Sequence, residues 1–201
     1  MKVGLSYAHN PSSPGACFED NCEYTYSRMW TKKLLIALAK RGQEYFITSR
    51  SDLRGKVEEI NAAGCDIAME IHFNACGGCG ASGCETLYHP GSQKGLNYAE
   101  VVQQALCKAV GNKYRGTKEG WYKMDRPGTV DFYGDEDGDE KPDYFLRATN
   151  CPALILEPEF IEHTDVIMAK INAGTDAIAD AVEEIANGSY EEVELDEGSD
   201  D

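Results

Sequence analysis

The sequence predicts an α/β fold: a single-domain three-layer sandwich, with a mixed, mostly parallel sheet carrying helices on both faces. Three observations predict it. Short apolar runs bounded by turn residues alternate with longer stretches of helical periodicity. A length of 201 residues fits one domain, and an apolar fraction of 42% suffices for a substantial core. The run CDIAMEIHFNA at residues 65–75 has the apolar content of a buried strand, bounded by Ala63-Gly64 before it and a Gly/Cys-rich stretch after it.

The elements follow in order. Residues 2–7 (KVGLSY) read as the first strand, ending at Ala8-His9-Asn10 before a Pro/Ser/Gly loop. Residues 21–41 read as a helix, with Met29, Trp30, Leu34, Leu35 and Leu38 at helical spacing, Asn21 as N-cap and Gly42 at the close. Glu23 then falls in the first turn, where an acid suits the helix dipole. Residues 44–48 form a second strand, and residues 51–63 a second helix capped by Ser51 or Asp52. The strand bearing His72 comes next. Residues 85–89 are a further strand, cut off by Pro90-Gly91, and residues 92–110 a helix. From 111 to 141 the pattern dissolves. The acidic stretch around Asp135–Asp139 reads as a solvated insertion, with calcium as the alternative, because its glycine stands fourth where an EF-hand requires it sixth. Residues 153–156 are a hydrophobic strand running into Glu157, and Pro158 ends its ladder. Residues 164–187 are the last helix, capped by Thr164. Residues 188–201 form an acidic, flexible tail beyond a domain spanning 1–187.

The formal charge is −16, and seven of the acids lie in residues 188–201, so the body is acidic even without its tail. That excludes phosphate-driven nucleic-acid binding and docking to an anionic membrane. No leader and no membrane-length apolar stretch is visible. The expectation is synthesis in the cytoplasm, no membrane anchor, release by another route and a monomeric state. The eight cysteines are expected to be reduced thiols in loops. The alternatives are bridges, or a second metal held by Cys76, Cys79 and Cys84 with Cys17 or Cys22 approaching in space.

Within residues 65–75, alternation sends Glu70, His72 and Asn74 to one side, a polar set that a buried strand rarely carries without purpose. His9 stands at the exit of the first strand, and ligands in open α/β sheets gather at such exits. His9, Glu23 and His72 make the His2Glu set of catalytic zinc. A proton carrier is also needed, and Glu157, at the end of an apolar strand and partly desolvated, is the candidate. Each residue alone has an ordinary structural explanation: a loop histidine, a dipole-compensating acid, a strand-end carboxylate.

Four segments resemble the zinc-dependent N-acetylmuramoyl-L-alanine amidases of the type 3 family, found in bacterial autolysins and phage endolysins. They are LSYAHNPSSPGA, CEYTYSRMWTKKLLIALAKRG, MEIHFNACGGCGASGCETLYHPGS and YFLRATNCPALILEPEFIEHTD, in the family's order over nearly the whole chain, with RGTK at Arg115 as a further match. The resemblance implies a phosphorylase/hydrolase-like sandwich and one catalytic Zn2+ on His9, Glu23 and His72. It implies Glu157 as acid/base, with Asn74 and Glu85 at the substrate groove. The implied substrate is peptidoglycan, cut between N-acetylmuramic acid and L-alanine. Four positions depart from the family: Ala8 stands where it has Gly, Glu70 where it has Ser, and Pro158-Glu159 where it has small residues. Glu70 is expected either to orient a ligand or to face a Lys or Arg. His89 and His163 match no ligand position and read as surface residues. The function expected is that of a phage endolysin acting on the wall of the host cell. The alternatives are a non-catalytic wall-binding or virion module on the same fold, or a zinc peptidase cutting wall stem peptides.

Overall fold

The computed structural model describes residues 1–120, 123–126, 129–131 and 142–195, and the Asp135–Asp139 stretch lies outside them. The chain forms β1 (Lys2–Tyr7), β2 (Cys17–Phe18), β3 (Asn21–Cys22), α1 (Glu23–Lys40), β4 (Glu44–Ile47), α2 (Leu53–Ala63), β5 (Ile67–Ile71) and β6 (Cys84–Tyr88). There follow α3 (Gln93–Val110), β7 (Tyr114–Glu119), β8 (Lys123–Arg126), β9 (Thr129–Asp131), α4 (Tyr144–Ala148), β10 (Ala153–Glu157) and α5 (Thr164–Asn187).

Six strands make one sheet in the order β4-β1-β5-β10-β6-β7. The pairs β1–β4, β1–β5, β5–β10 and β6–β7 are parallel, and β10–β6 is antiparallel. The sheet is therefore mixed and mostly parallel, as the sequence predicts. Helices α1, α3 and α5 pack on one face and α2 and α4 on the other. Strand alternation divides the side chains between two cores. Val3, Leu5, Ile67, Met69, Ile71, Leu154 and Leu156 join the core of α1, α3 and α5, whereas Ala68, Leu87, Ala153 and Ile155 join Val57, Ile60, Phe145 and Leu146 under α2 and α4.

Several local expectations are corrected. Residues 114–119 form an edge strand where no periodicity is visible, because each side chain in an edge strand is only partly covered and the apolar alternation is lost. The tight hairpin β2–β3 was also not legible. Asn21 belongs to that hairpin and accepts a hydrogen bond from Tyr26 Oη at 2.9 Å, so Cys22 is the N-cap of α1, without a side-chain hydrogen bond. His163, not Thr164, is the N-cap of α5, and its ring faces the Ala81 carbonyl at 2.8 Å. His163 and His89 are both half-buried rather than free on the surface.

The cysteines are the largest correction. Cys17–Cys22 and Cys76–Cys79 are disulfides, and Cys65, Cys84, Cys107 and Cys151 remain thiols. Four of the eight are thus not the reduced thiols expected, and the alternative of a zinc knuckle does not form. Cys76 and Cys79 bond each other, and Cys84 is fully buried with its thiol 3.5 Å from Gln103 Oε1. Burial pushes the Cys84 thiol well above its ordinary range, the reverse of what a metal-binding thiolate needs. The first residues after α5 lie along α3. Val193 N donates to Asn97 Oδ1 at 3.0 Å, Leu195 N donates to Gln93 Oε1 at 3.1 Å, and the Tyr190 ring meets Tyr98 edge-on. No described helix is long and apolar enough to cross a membrane.

Candidate metal centre and active site

The site lies at the C-terminal ends of β1, β5 and β10. After β1 the chain turns sharply. Ala8 N donates to Ser27 Oγ at 2.9 Å, and His9 takes a left-handed conformation with φ +62°. Non-glycine residues rarely adopt that conformation, and such strain concentrates at functional sites. Glu23 arrives from the other side as the first residue of α1, directly after the Cys17–Cys22 hairpin. β5 stops at Ile71, and beyond it the chain keeps one bond at His72 and an isolated bridge between Asn74 and Phe160. His72 N donates to the Leu156 carbonyl at 2.8 Å, and Asn74 N donates to the Glu159 carbonyl at 3.0 Å.

These turns bring His9, Glu23 and His72 together. One ligand atom from each lies within 4.8 Å of the others, and no other such cluster of three occurs among the described residues. His9 Nε2 is 3.0 Å from Glu23 Oε2, and His72 Nδ1 is 3.5 Å from the same oxygen. The other Glu23 oxygen accepts a bond from Ala16 N at 2.7 Å. Glu70 extends from β5 on the same side as His72, with Oε2 3.1 Å from His72 Nε2. Glu70 also lies 3.8 Å from Lys56 Nζ, so it both orients a histidine and faces a lysine. With Nε2–H donating to Glu70, His72 turns the lone pair of Nδ1 toward Glu23. A carboxylate on the far nitrogen is the usual support of a metal-binding histidine.

The electrostatics favour a cation at this point. Burial opposes the charge on Glu23, but the hydrogen bonds of His72 and His9 outweigh it and hold the carboxyl down at about 2. Burial likewise opposes a charged His72, yet its bonds to Glu23 and Glu70 push the ring well above its ordinary range. Glu157 goes the other way. Burial raises its carboxyl well above the usual range, against the opposite charges of His72 and Arg115 and together with repulsion from Glu23 and Glu85. Its Oε2 is buried without a hydrogen-bond partner among the described residues. Glu157 lines one small pocket with Glu23, His72, Phe73, Asn74 and Ala75.

Three features bear on whether a metal fits. The donors are two imidazoles and a carboxylate, an established zinc set. The orphaned Glu157 oxygen points to a missing polar partner, since buried polar atoms are almost always paired. Gly15, with φ +77°, leaves the space beside the donors open: a Cβ there would stand 2.5 Å from His9 Nε2 and 2.9 Å from Glu23 Oε1. The residues present fit the ion.

Asn74 lies at the pocket wall, and Glu85 lies behind it. Glu85 has no exposed surface, and it accepts bonds from Asn74 Nδ2 at 2.9 Å, Arg115 Nε at 2.8 Å and Lys118 Nζ at 2.6 Å. Glu85 thus sits behind the pocket wall and holds Asn74, Arg115 and Lys118 in place. Sequence reasoning missed Gly15 and Lys56. Gly15 carried no signal beyond loop composition. Lys56 did carry one, because positions 56, 57 and 60 share the inward stripe of α2 and a lysine there is out of place.

Comparison with known proteins bears on both fold and family. No curated sequence matches the chain significantly. The catalytic domain of CwlV, an N-acetylmuramoyl-L-alanine amidase from Bacillus (Paenibacillus) polymyxa var. colistinus, is 21% identical. The match covers 93% of this chain and 99% of that one, with a TM-score of 0.73. The amidase AmiC2 of Nostoc punctiforme is 19% identical over 93% of this chain and 97% of that one, with a TM-score of 0.74. The catalytic domain of an endolysin targeting Clostridia Difficile is 22% identical over 96% and 99%, with a TM-score of 0.65. At these identities the likeness establishes the fold. The family is established by the sequence itself: the model of the N-acetylmuramoyl-L-alanine amidases matches residues 3–188, a span holding His9, Glu23, His72 and Glu157, and the chain belongs to that family as a peptidoglycan amidase.

Proposed function

We propose that the chain is a zinc-dependent hydrolase that cleaves the amide between the lactyl group of N-acetylmuramic acid and L-alanine. His9, Glu23 and His72 hold the ion and Glu157 carries the proton. The observation behind this is the pairing of one orphaned carboxylate oxygen with a three-donor cluster at the end of the same sheet. Bound there, zinc supplies Lewis-acid polarisation of the scissile carbonyl and acidifies a water. The protein's own groups do the rest. Glu157 Oε2 accepts a proton from the attacking water and returns it to the departing alanine nitrogen, for which a raised pKa is the useful tuning. Glu70 holds the His72 ring in one tautomer through Nε2. Asn74, anchored on Glu85, offers an amide at the pocket wall for the substrate.

Residues 1–187 form the catalytic unit and 188–201 an appended acidic segment. The physiological setting proposed is phage lysis, with the enzyme acting on the host wall after release. Support comes from the likeness to an endolysin catalytic domain. The test is digestion of purified sacculi with mass analysis of the products, together with metal analysis of the protein. The expected result is about one zinc per chain and intact stem peptides with free L-alanine amino groups. Activity should vanish with a chelator and return with zinc. Cleavage inside the stem peptides, or full activity in the metal-free protein, would sink the reading. Lysis on co-expression with a pore-forming holin, and none without one, is the outcome expected of an endolysin.

A further inference from the structure

Lys56 is a charged side chain in a place where charge is expensive. It sits on the inward stripe of α2 beside Val57 and Ile60, with 4% of its surface exposed. An ammonium buried to that degree persists only if its three donors are satisfied. Two hydrogen bonds and one ion pair, all at the strand ends beside the site, hold it. Nζ donates to the Tyr7 carbonyl, donates to the His9 carbonyl at 3.0 Å, and stands 3.8 Å from Glu70 Oε1. Ser6 Oγ, from the neighbouring strand, also donates to that Glu70 oxygen.

We propose that Lys56 is a positioning residue for the amidase reaction, one ammonium that fixes both histidine donors by gripping the His9 backbone and the Glu70 carboxylate behind His72. The proposal rests on the zinc site described above. Its physical content is a coupling between two chain segments far apart in sequence. His9 lies beyond the last paired residue of β1, where Tyr7 opposes Ile71, so no ladder holds its left-handed turn. Lys56 supplies the missing bond. His72 lies beyond the last residue of β5 and is held from behind by Glu70. Glu70 is 3% exposed and needs a counter-charge, and Lys56 supplies that too. The same atom therefore sets the distance between the two imidazoles, whose ring centroids are 4.9 Å apart. A simple core role would need no cation, because methionine fills the same volume. A lysine is needed only if carbonyl and carboxylate must be held together.

The experiment compares wild type with Lys56→Met, Lys56→Arg and the double variant Lys56→Met/Glu70→Gln. The double variant removes the buried carboxylate along with its partner, so it remains folded if the single variant does not. Folding is checked by circular dichroism, and zinc Kd is measured by chelator competition at a temperature where each variant is folded. The visible spectrum of the cobalt-loaded protein is recorded, and kcat and KM are measured separately. Supporting carboxylates and their partners typically change metal affinity by about 10–100-fold, and that loss is expected in both methionine variants. The cobalt spectrum should shift, kcat should fall and KM should change little. Lys56→Arg should recover part of the affinity. Unchanged zinc Kd, spectrum and kcat in folded variants, with only the melting temperature lowered, would overturn the proposal. Failure of wild type itself to bind zinc would instead overturn the site assignment, and the positioning role with it.

Discussion

The two faces of the sheet are built from the same strands and serve opposite ends. Toward α1, α3 and α5 the strands send Val3, Leu5, Ile67, Met69, Ile71, Leu154 and Leu156 into a continuous apolar core. Toward α2 and α4 they send Ser6, Glu70, Glu85 and Glu157, with only a small apolar cluster around Phe145 and Leu146. Adjacent residues on one strand are thus divided: Ile71 packs, whereas Glu70 is paired with a lysine and a histidine. Buried charge contributes little net stability even when paired. The difference teaches that stability and chemistry are separated by the two-residue period of a strand. The apolar face supplies the free energy, and the polar face holds groups in arrangements they would not choose alone.

The sharpest way to test that division is Glu157→Gln. Turnover should fall by about 10²–10⁴-fold, the range for loss of a general acid/base, while zinc content is kept. Stability should move the other way. Glu157 is raised in the folded state, so its contribution is present below its unfolded value of 4.5 and is lost as pH rises through the folded value. In the metal-free protein, the stability advantage of Glu157→Gln over wild type should therefore grow as pH rises above 4.5. Urea melts across that range measure it, and an advantage that shrinks with pH would contradict the assignment.

The converse variant strikes the apolar face. Ile178, on α5 and fully buried, is expected to cost about 2–5 kcal/mol as Ile178→Ala. Chemical denaturation measures the cost. The folded variant should keep wild-type zinc affinity and kcat, and a matching loss in either would show that the two faces are not separable. The smallest effect belongs to the staples. Closing loops as short as Cys17–Cys22 and Cys76–Cys79 stabilises by about 2 kcal/mol each in the chain-entropy picture. Reduction should lower the melting temperature accordingly. A thiol assay in denaturant should find four free cysteines before reduction and eight after.

Legibility in the sequence followed how local the cause was. Helix α3 was readable because Leu96, Ala99, Val102 and Leu106 share one stripe and Ser92 and Gly111 cap it. The place of Glu157 at the end of β10 was readable because the apolar run ALIL leads into it and Pro158 stops the ladder. The edge strand β7 was not, since its partner β6 lies across a helix and its own side chains carry no alternation. The partners of Glu85 were not legible either, since Asn74, Arg115 and Lys118 reach it from separate segments.

The sequence by itself determined the order of the main strands and helices, the apolar periods that choose which side of each is buried, and the kinds of donor waiting at the strand ends. Those are properties of residues a few positions apart, and a period or a turn carries them. Only the tertiary structure decided which cysteines bond, that Gly15 must leave room beside His9 and Glu23, and that Lys56 reaches His9 and Glu70 together. Each of those depends on a distance between segments separated along the chain, and such a distance exists only once the sheet has brought the segments side by side.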